Sequence, residues 1–240
     1  MLTCNHSLSD SLSPIKSRSH GAKFIIKNNC PYTIWPATLT SKGAQLSTGF
    51  ELASQASSSL DVQNSWSGRI WARYHCSKNG KNFTCLSGDC DSGEVACNGK
   101  GPIPPETLLE FTIVGYEGKD FYDISLVDGF NLPVSIKPLN RGDCNTTSCP
   151  IDINKQGCPN DLAVRNPVGG SIIGCKSACV AYQQPQYCCT GSYGSPQTCK
   201  PTRYSRQFKH FCPLAYTYAY DDQNSTFTCI KVDYMITFCP

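Results

Sequence analysis

Of the chain's 17 cysteines, all but Cys4 lie between Cys30 and Cys239, and this density restricts the folds open to it. So many thiols serve either metal centres or disulfides. Zinc fits poorly: the adjacent Cys188 and Cys189 do not suit one tetrahedral site, and no paired Cys-x2-Cys knuckles occur. We therefore expect no metal and no cofactor, and a disulfide framework formed in an oxidising compartment. Spacing alone does not assign the partners, since sixteen cysteines allow about two million pairings.

The rest of the composition agrees with a secreted globular domain. Apolar residues make up 40% of the chain, enough to bury a core. The formal net charge of +3 is too small for a nucleic-acid binder. No run reaches the roughly 18 apolar residues of a membrane span. Asn-x-Ser/Thr sequons at Asn5, Asn82, Asn145 and Asn224 are glycosylation candidates of the kind that secretion would expose to modification. Residues 1–21 are Ser-rich and polar, without the apolar core of a signal peptide. They are expected to be a disordered, dispensable leader or tail, which contains the odd Cys4, and the domain is expected over 22–240.

From Ala22 onward the pattern is that of an all-β protein, with strands expected over 24–26, 33–35, 57–62, 69–74, 107–114, 121–127, 134–137, 226–231 and 234–238. Short strands separated by Gly, Pro and Asn point to a β-sandwich or barrel. Two Cys-dense stretches interrupt them. One, over about 76–105, has little apolar content, so disulfides should hold it. The other, over about 150–213, carries the only expected helices. These are a short one over 175–182 and one over 204–211, where Tyr204, Phe208 and Phe211 fall at i, i+4, i+7 before Pro213.

Nucleophilic chemistry finds no support. His6 and His20 are in the leader, His75 adjoins Cys76, His210 is at a helix end, and there is no Gly-x-Ser-x-Gly elbow. Carboxylates are the better candidates. Strand alternation turns Glu110 away from Leu109 and Phe111, and Asp123 away from Tyr122, Ile124 and Leu126, while Asp128 falls in an Asp-Gly turn. Taken singly, each reads as an ordinary surface acid.

Several motifs together resemble the thaumatin-like proteins, the plant pathogenesis-related group to which osmotin and zeamatin belong. They are Phe24-x-x-x-Asn28-Asn29-Cys30, Arg69-Ile70-Trp71-Ala72-Arg73, Ser87-Gly88-Asp89-Cys90 and Leu109-Glu110-Phe111. The match continues through Tyr122-Asp123-Ile124-Ser125-Leu126-Val127-Asp128-Gly129-Phe130-Asn131, Tyr187-Cys188-Cys189, Tyr204-Ser205-Arg206-x-Phe208-Lys209 and Phe238-Cys239-Pro240. Ser87, Lys81 and Leu214 depart from the family pattern, but no framework cysteine does.

The resemblance implies a mainly β fold: a central sandwich, a small disulfide-clasped lobe over about 76–105 and a disulfide-rich helical lobe over about 150–213. It implies eight disulfides, Cys30–Cys239, Cys76–Cys85, Cys90–Cys97, Cys144–Cys229, Cys149–Cys212, Cys158–Cys175, Cys179–Cys188 and Cys189–Cys199. It also implies an acidic cleft of Arg69, Glu110, Asp123, Asp128 and Asp222, with Asp221 as the alternative register for the last.

The resemblance further implies a secreted, apoplastic or vacuolar antifungal defence protein, a monomer that binds fungal-wall β-1,3-glucan or another wall polysaccharide through this cleft, and contacts with fungal surface proteins. One alternative is a weak endo-β-1,3-glucanase with Glu110 as acid and Asp128 as nucleophile or base. Another is an inhibitor or a developmental wall protein. Should the cleft not bind, Tyr182, Tyr187 and Tyr193 offer a stacking platform instead.

Because the two Cys-dense stretches look too poor in apolar residues to fold alone, the oxidised protein should resist heat and protease and lose that resistance in strong reductant. Limited proteolysis with and without dithiothreitol checks this, and resistance retained after reduction would contradict it.

Overall fold

Alternating burial along the first strand sets the architecture: Ala22, Phe24, Ile26 and Asn28 point inward and the residues between them outward. The computed structural model describes residues 21–240. The expected leader lies outside the described residues except for Gly21, whose N–H already donates to Val62 O at 2.7 Å.

The strands are β1 (Ala22–Asn28), β2 (Trp35–Lys42), β3 (Ser57–Val62), β4 (Ser67–Asn79), β5 (Asn82–Ser87), β6 (Leu108–Thr112) and β7 (Asp120–Ser125). They continue as β8 (Gly129–Phe130), β9 (Val134–Pro138), β10 (Thr147–Cys149), β11 (Ala163–Arg165), β12 (Ile172–Lys176), β13 (Phe227–Cys229) and β14 (Tyr234–Phe238). The α-helices are α1 (Ile153–Gln156), α2 (Ala178–Tyr182), α3 (Pro185–Cys188) and α4 (Arg203–Phe211).

One sheet has the order β10-β9-β14-β1-β3, and a second has β13-β7-β6-β4-β2 with β5 paired to β4. A small third sheet, β11-β12-β8, belongs to the helical lobe's side of the molecule. The chain's first and last strands pair in parallel at the middle of the first sheet, Phe24 opposite Tyr234 and Asn28 opposite Phe238. The two larger sheets bury an aromatic core between them. Phe24 meets Phe111 at a ring separation of 4.5 Å, and Tyr234 meets Phe111 at 5.3 Å and Tyr122 at 5.2 Å. The buried hydroxyls are satisfied: Tyr234 donates to Asp120 at 2.9 Å and Tyr122 to Asn145 O at 2.6 Å.

Eight disulfides form in the pairing the resemblance implied. Cys30–Cys239 spans a sequence separation of 209 residues. Closing so long a loop removes about 5 kcal/mol of unfolded-state chain entropy.

Both Cys-dense stretches turn out to be better supported than composition suggested. In 76–105, β4 runs on past Cys76 to make a hairpin with β5, an element the residue pattern did not announce. Cys90 and Cys97 also pack on Ala37, Trp71 and Leu108 in a second small core. In the helical lobe, Ile153, Leu162, Ile173, Tyr204 and Phe208 join the main core. The short helix begins later than expected. Cys175 and Lys176 end β12, because Ser177 caps α2 by accepting the Val180 N–H at 3.1 Å. The second helix agrees with its periodicity and starts at a Thr202–Ser205 capping box.

The junction between the lobes and the sandwich turns on Asn131, 1% exposed. Its amide donates to Ala72 O at 2.9 Å and to Ser87 Oγ at 3.2 Å, and its Oδ1 accepts the Thr107 N–H at 3.1 Å. Replacement by alanine strands three buried partners, so Asn131→Ala should cost roughly 3–5 kcal/mol. Urea denaturation checks this, and a loss under about 1 kcal/mol would show the network to be dispensable.

Candidate functional site

Cross-strand register brings distant charges side by side. In the second sheet Arg69 on β4 is opposite Glu110 on β6, and Glu110 is opposite Asp123 on β7. Directly opposed residues on one face of antiparallel strands have side chains within contact reach. The Arg69 Nε–H donates to Glu110 Oε1 at 2.8 Å. The row lines an open groove of about 200 Å³, walled also by Ser41, Ser67, Thr112 and Phe121.

Asp128 approaches from the turn before β8. Gly129, which opens β8, has φ +122°, and a Cβ there would meet Cys175 O at 2.5 Å and Pro105 at 2.6 Å, so glycine after Asp128 is a steric requirement. Asp222 approaches from a single 3₁₀ turn, Asp222–Asn224. Its Oδ1 accepts the Tyr216 hydroxyl at 2.8 Å, and that hydroxyl also contacts Thr226 Oγ1.

The neighbouring Asp221 is engaged elsewhere. Its Oδ2 accepts from Lys209 Nζ at 3.0 Å, Thr217 N at 3.0 Å and Thr217 Oγ1 at 2.8 Å. Of the two registers, Asp222 is the one whose charge reaches Asp123. Arg69 thus reaches Asp123 and Asp128, Asp222 reaches Asp123, and Arg69 and Glu110 are in direct contact.

The electrostatics follow from one cation among several acids in a half-buried setting. Burial, then the Glu110 charge and that of Asp222, push the Asp123 carboxyl up to about 8, against the opposing pull of Arg69. Asp123 Oδ2 finds no hydrogen-bond partner among the described residues. Burial also raises Asp128, again opposed by Arg69. The Tyr216 hydroxyl is pushed up to about 12, first by burial, with Asp222 and Asp123 adding to it. The cleft therefore offers both acceptor carboxylates and a carboxylic acid able to donate at neutral pH.

Two members of this constellation were missed in the sequence. Tyr216 lacked a signal, since its role arises from a loop that bridges to Ser125. Glu106 shares the parity of Leu108 and Glu110 and could have been found by extending the strand backward, but Pro104-Pro105 marked a break there. It is 1% exposed, and burial and Asp128 push it up to about 8 while Arg69 opposes them.

The other candidates lie elsewhere. Tyr182, Tyr187 and Tyr204 pack together at ring separations of 5.5–5.8 Å, with the Tyr182 hydroxyl on Asp161. Tyr193, the third member of the suggested platform, makes no ring contact with them among the described residues. His75 meets Tyr74 at a tilt with ring centres 4.7 Å apart and His210 meets Phe211 edge-on at 5.5 Å, neither one in the groove. The sequon residues Asn82, Asn145 and Asn224 are exposed. Among the described residues no His/Cys/Asp/Glu group could hold a metal ion, and no helix is long and apolar enough to cross a membrane.

Fold and disulfide framework together define a mainly β, disulfide-framed class of protein, and comparison with known proteins specifies it. The Thaumatin family model matches residues 28–240, and the chain belongs to that family. It is 57% identical over 227 residues to thaumatin-like protein 1 of Pyrus pyrifolia, covering 92% of each chain. It is 54% identical over 227 residues to a protein of Prunus avium named glucan endo-1,3-beta-glucosidase, again covering 92% of each. It is 50% identical over 220 residues to pathogenesis-related protein 5 of Arabidopsis thaliana, covering 90% of each.

The protonated state of Asp123 has a consequence for stability. Its pKa is raised in the fold, so the stability it contributes is full below the unfolded carboxyl range and is lost as pH rises towards about 8. Asp123→Asn should therefore be more stable than the parent at pH 8, by on the order of 2 kcal/mol after allowance for solvent screening, and less pH-sensitive. Calorimetric melting at pH 4, 6 and 8 measures this, and equal slopes for the two proteins would refute it.

Proposed function

We propose that the protein is a secreted defence protein that binds β-1,3-glucan of fungal walls in the Arg69–Glu110–Asp123 groove. The observation that carries this reading is the groove itself, an ion pair and an acid in one strand-to-strand row beside the Phe121 ring. Sugar hydroxyls both donate and accept. Glu110 and Asp128 supply acceptors, while Arg69 and a protonated Asp123 supply donors. Phe121 gives an apolar wall to the flat face of a sugar ring. Eight disulfides suit an extracellular or vacuolar setting, and no other partner is needed for the groove to be complete in one chain.

A glucanase is the second reading, favoured by the name of the Prunus avium relative. Two-carboxylate hydrolysis needs one protonated acid and one ionised carboxylate. Glu110 is engaged by Arg69, whereas Asp123 is the groove carboxyl held protonated. On this reading the proton donor passes from Glu110 to Asp123, with Asp128 as base or nucleophile. Inhibition of a microbial enzyme would be a third role, and it makes no use of the acid held in the groove.

Calorimetric titration with laminarin, a soluble β-1,3-glucan, tests binding. Glu110→Gln and Arg69→Ala should each weaken it roughly 10–100-fold, as loss of a charge-assisted hydrogen bond requires. If the site is catalytic, reducing-sugar release should vanish in Asp123→Asn while binding survives. Laminarin binding untouched by Glu110→Gln, Arg69→Ala and Asp128→Asn would remove the groove from consideration.

A further inference from the structure

Glu106 is out of place for an acid. It is 1% exposed, yet its Oε2 finds no hydrogen-bond partner among the described residues. A buried carboxyl with a bare oxygen is costly unless neutral or useful. Its neighbours in sequence fix where it lies. Pro105 packs against Gly129, where an added Cβ would come within 2.6 Å of the Pro105 side chain. On the other side, Thr107 N–H donates to Asn131 Oδ1 at 3.1 Å, and Asn131 N–H donates back to Thr107 Oγ1 at 3.2 Å. Glu106 is thereby clamped alongside the segment 129–131, next to Asp128, on the β6 approach that leads to Glu110.

We propose that Glu106 is a fifth carboxyl of the cleft, a positioning residue that acts through Asp128 and Arg69. The charged groups that reach it are these two, Asp128 from the turn before β8 and Arg69 from β4. Glu110 of β6 and Asp222 act on Asp123 of β7 instead. Lys176, whose backbone is opposite Gly129, lines the separate groove beside Asp89 and Pro104.

While Glu106 keeps its proton, it does not draw on the Arg69 charge, which stays with Glu110 and Asp128. Once Glu106 ionises, two carboxylates face each other across Pro105–Gly129 and compete for the Arg69 charge. The arrangement of Arg69 and Asp128 presented to a ligand then changes on loss of a proton from Glu106, a residue that does not itself line the groove. For its ligand this inference rests on the glucan reading, but the coupling is a property of the empty protein.

The test is carbon-13 NMR of side-chain carboxyls in the ligand-free protein, with the Glu106 signal assigned by its loss in Glu106→Gln. Its midpoint should lie near 8 in the parent. It should fall by about one unit in Asp128→Asn and rise in Arg69→Gln, since one change removes a neighbouring negative charge and the other a positive one. A midpoint unmoved by both variants, which leave Glu106 itself intact, overturns the proposal.

Laminarin titration supplies the second arm. It is run in an Asp123→Asn background, which removes the groove acid that itself titrates near 8; affinity there should fall several-fold between pH 7 and 9 and stay level once Glu106→Gln is added. If adding Glu106→Gln leaves the pH profile of Asp123→Asn unchanged, the positioning role fails and the glucan reading stands. If laminarin binds neither protein while the NMR coupling is present, the glucan reading fails and the coupling stands.

Discussion

The parallel pairing of β1 with β14, sealed by Cys30–Cys239, is the constraint on which the rest of the structure depends. Parallel neighbours must be joined by a crossover, and here the crossover is nearly the whole chain. Placing the two end strands at the centre of one sheet commits everything between them to wrap around its inner face. The second sheet is that wrapping. Its aromatic residues Phe111 and Tyr122 meet Phe24 and Tyr234 from the first, and the core forms between them. The free energy of holding so long a loop closed is shared by covalent bond and burial.

A sheet fixed on one face by aromatic packing presents its other face with little freedom. That is how Arg69, Glu110 and Asp123 come to form a row: alternation turns Leu109, Phe111, Tyr122 and Ile124 into the core and leaves these three outside. Like charges gathered on a rigid scaffold have no room to move apart, and the outcome is chemical. Burial and mutual repulsion raise Asp123, burial raises Asp128, and the single guanidinium of Arg69 opposes both shifts. The cleft stores protons where flexible surface acids would not.

Much of this was legible before any coordinates. Alternation in 107–114 and 121–127 located the sheet and the outward direction of Glu110 and Asp123, because a period of two is a local property of extended chain. Helix α4 followed from the spacing of Tyr204, Phe208 and Phe211 and from Pro213. What local pattern did not announce was the β4–β5 hairpin, in a stretch that reads as loop because turns and cysteines dominate it. It likewise gave no hint that this stretch has its own apolar seat on Trp71 and Leu108, residues that precede and follow it in the chain. Glu106 went unnoticed because two prolines before it look like the end of a strand, and its burial depends on Gly129 and Asn131 more than twenty residues away.

By itself the sequence determined the fold class, the family and the facing of each strand residue, since these rest on composition, motif and backbone periodicity within a few residues. The family resemblance supplied the disulfide partners, which spacing alone left open. Only the tertiary structure decided which acids share an environment. It assigned Asp222 rather than Asp221 to the cleft, engaging Asp221 with Lys209 and Thr217, and it brought Tyr216 and Glu106 to its margin. The physical reason is that charge–charge energy and desolvation depend on distance and burial, and in this chain both are set by contacts between segments far apart in sequence.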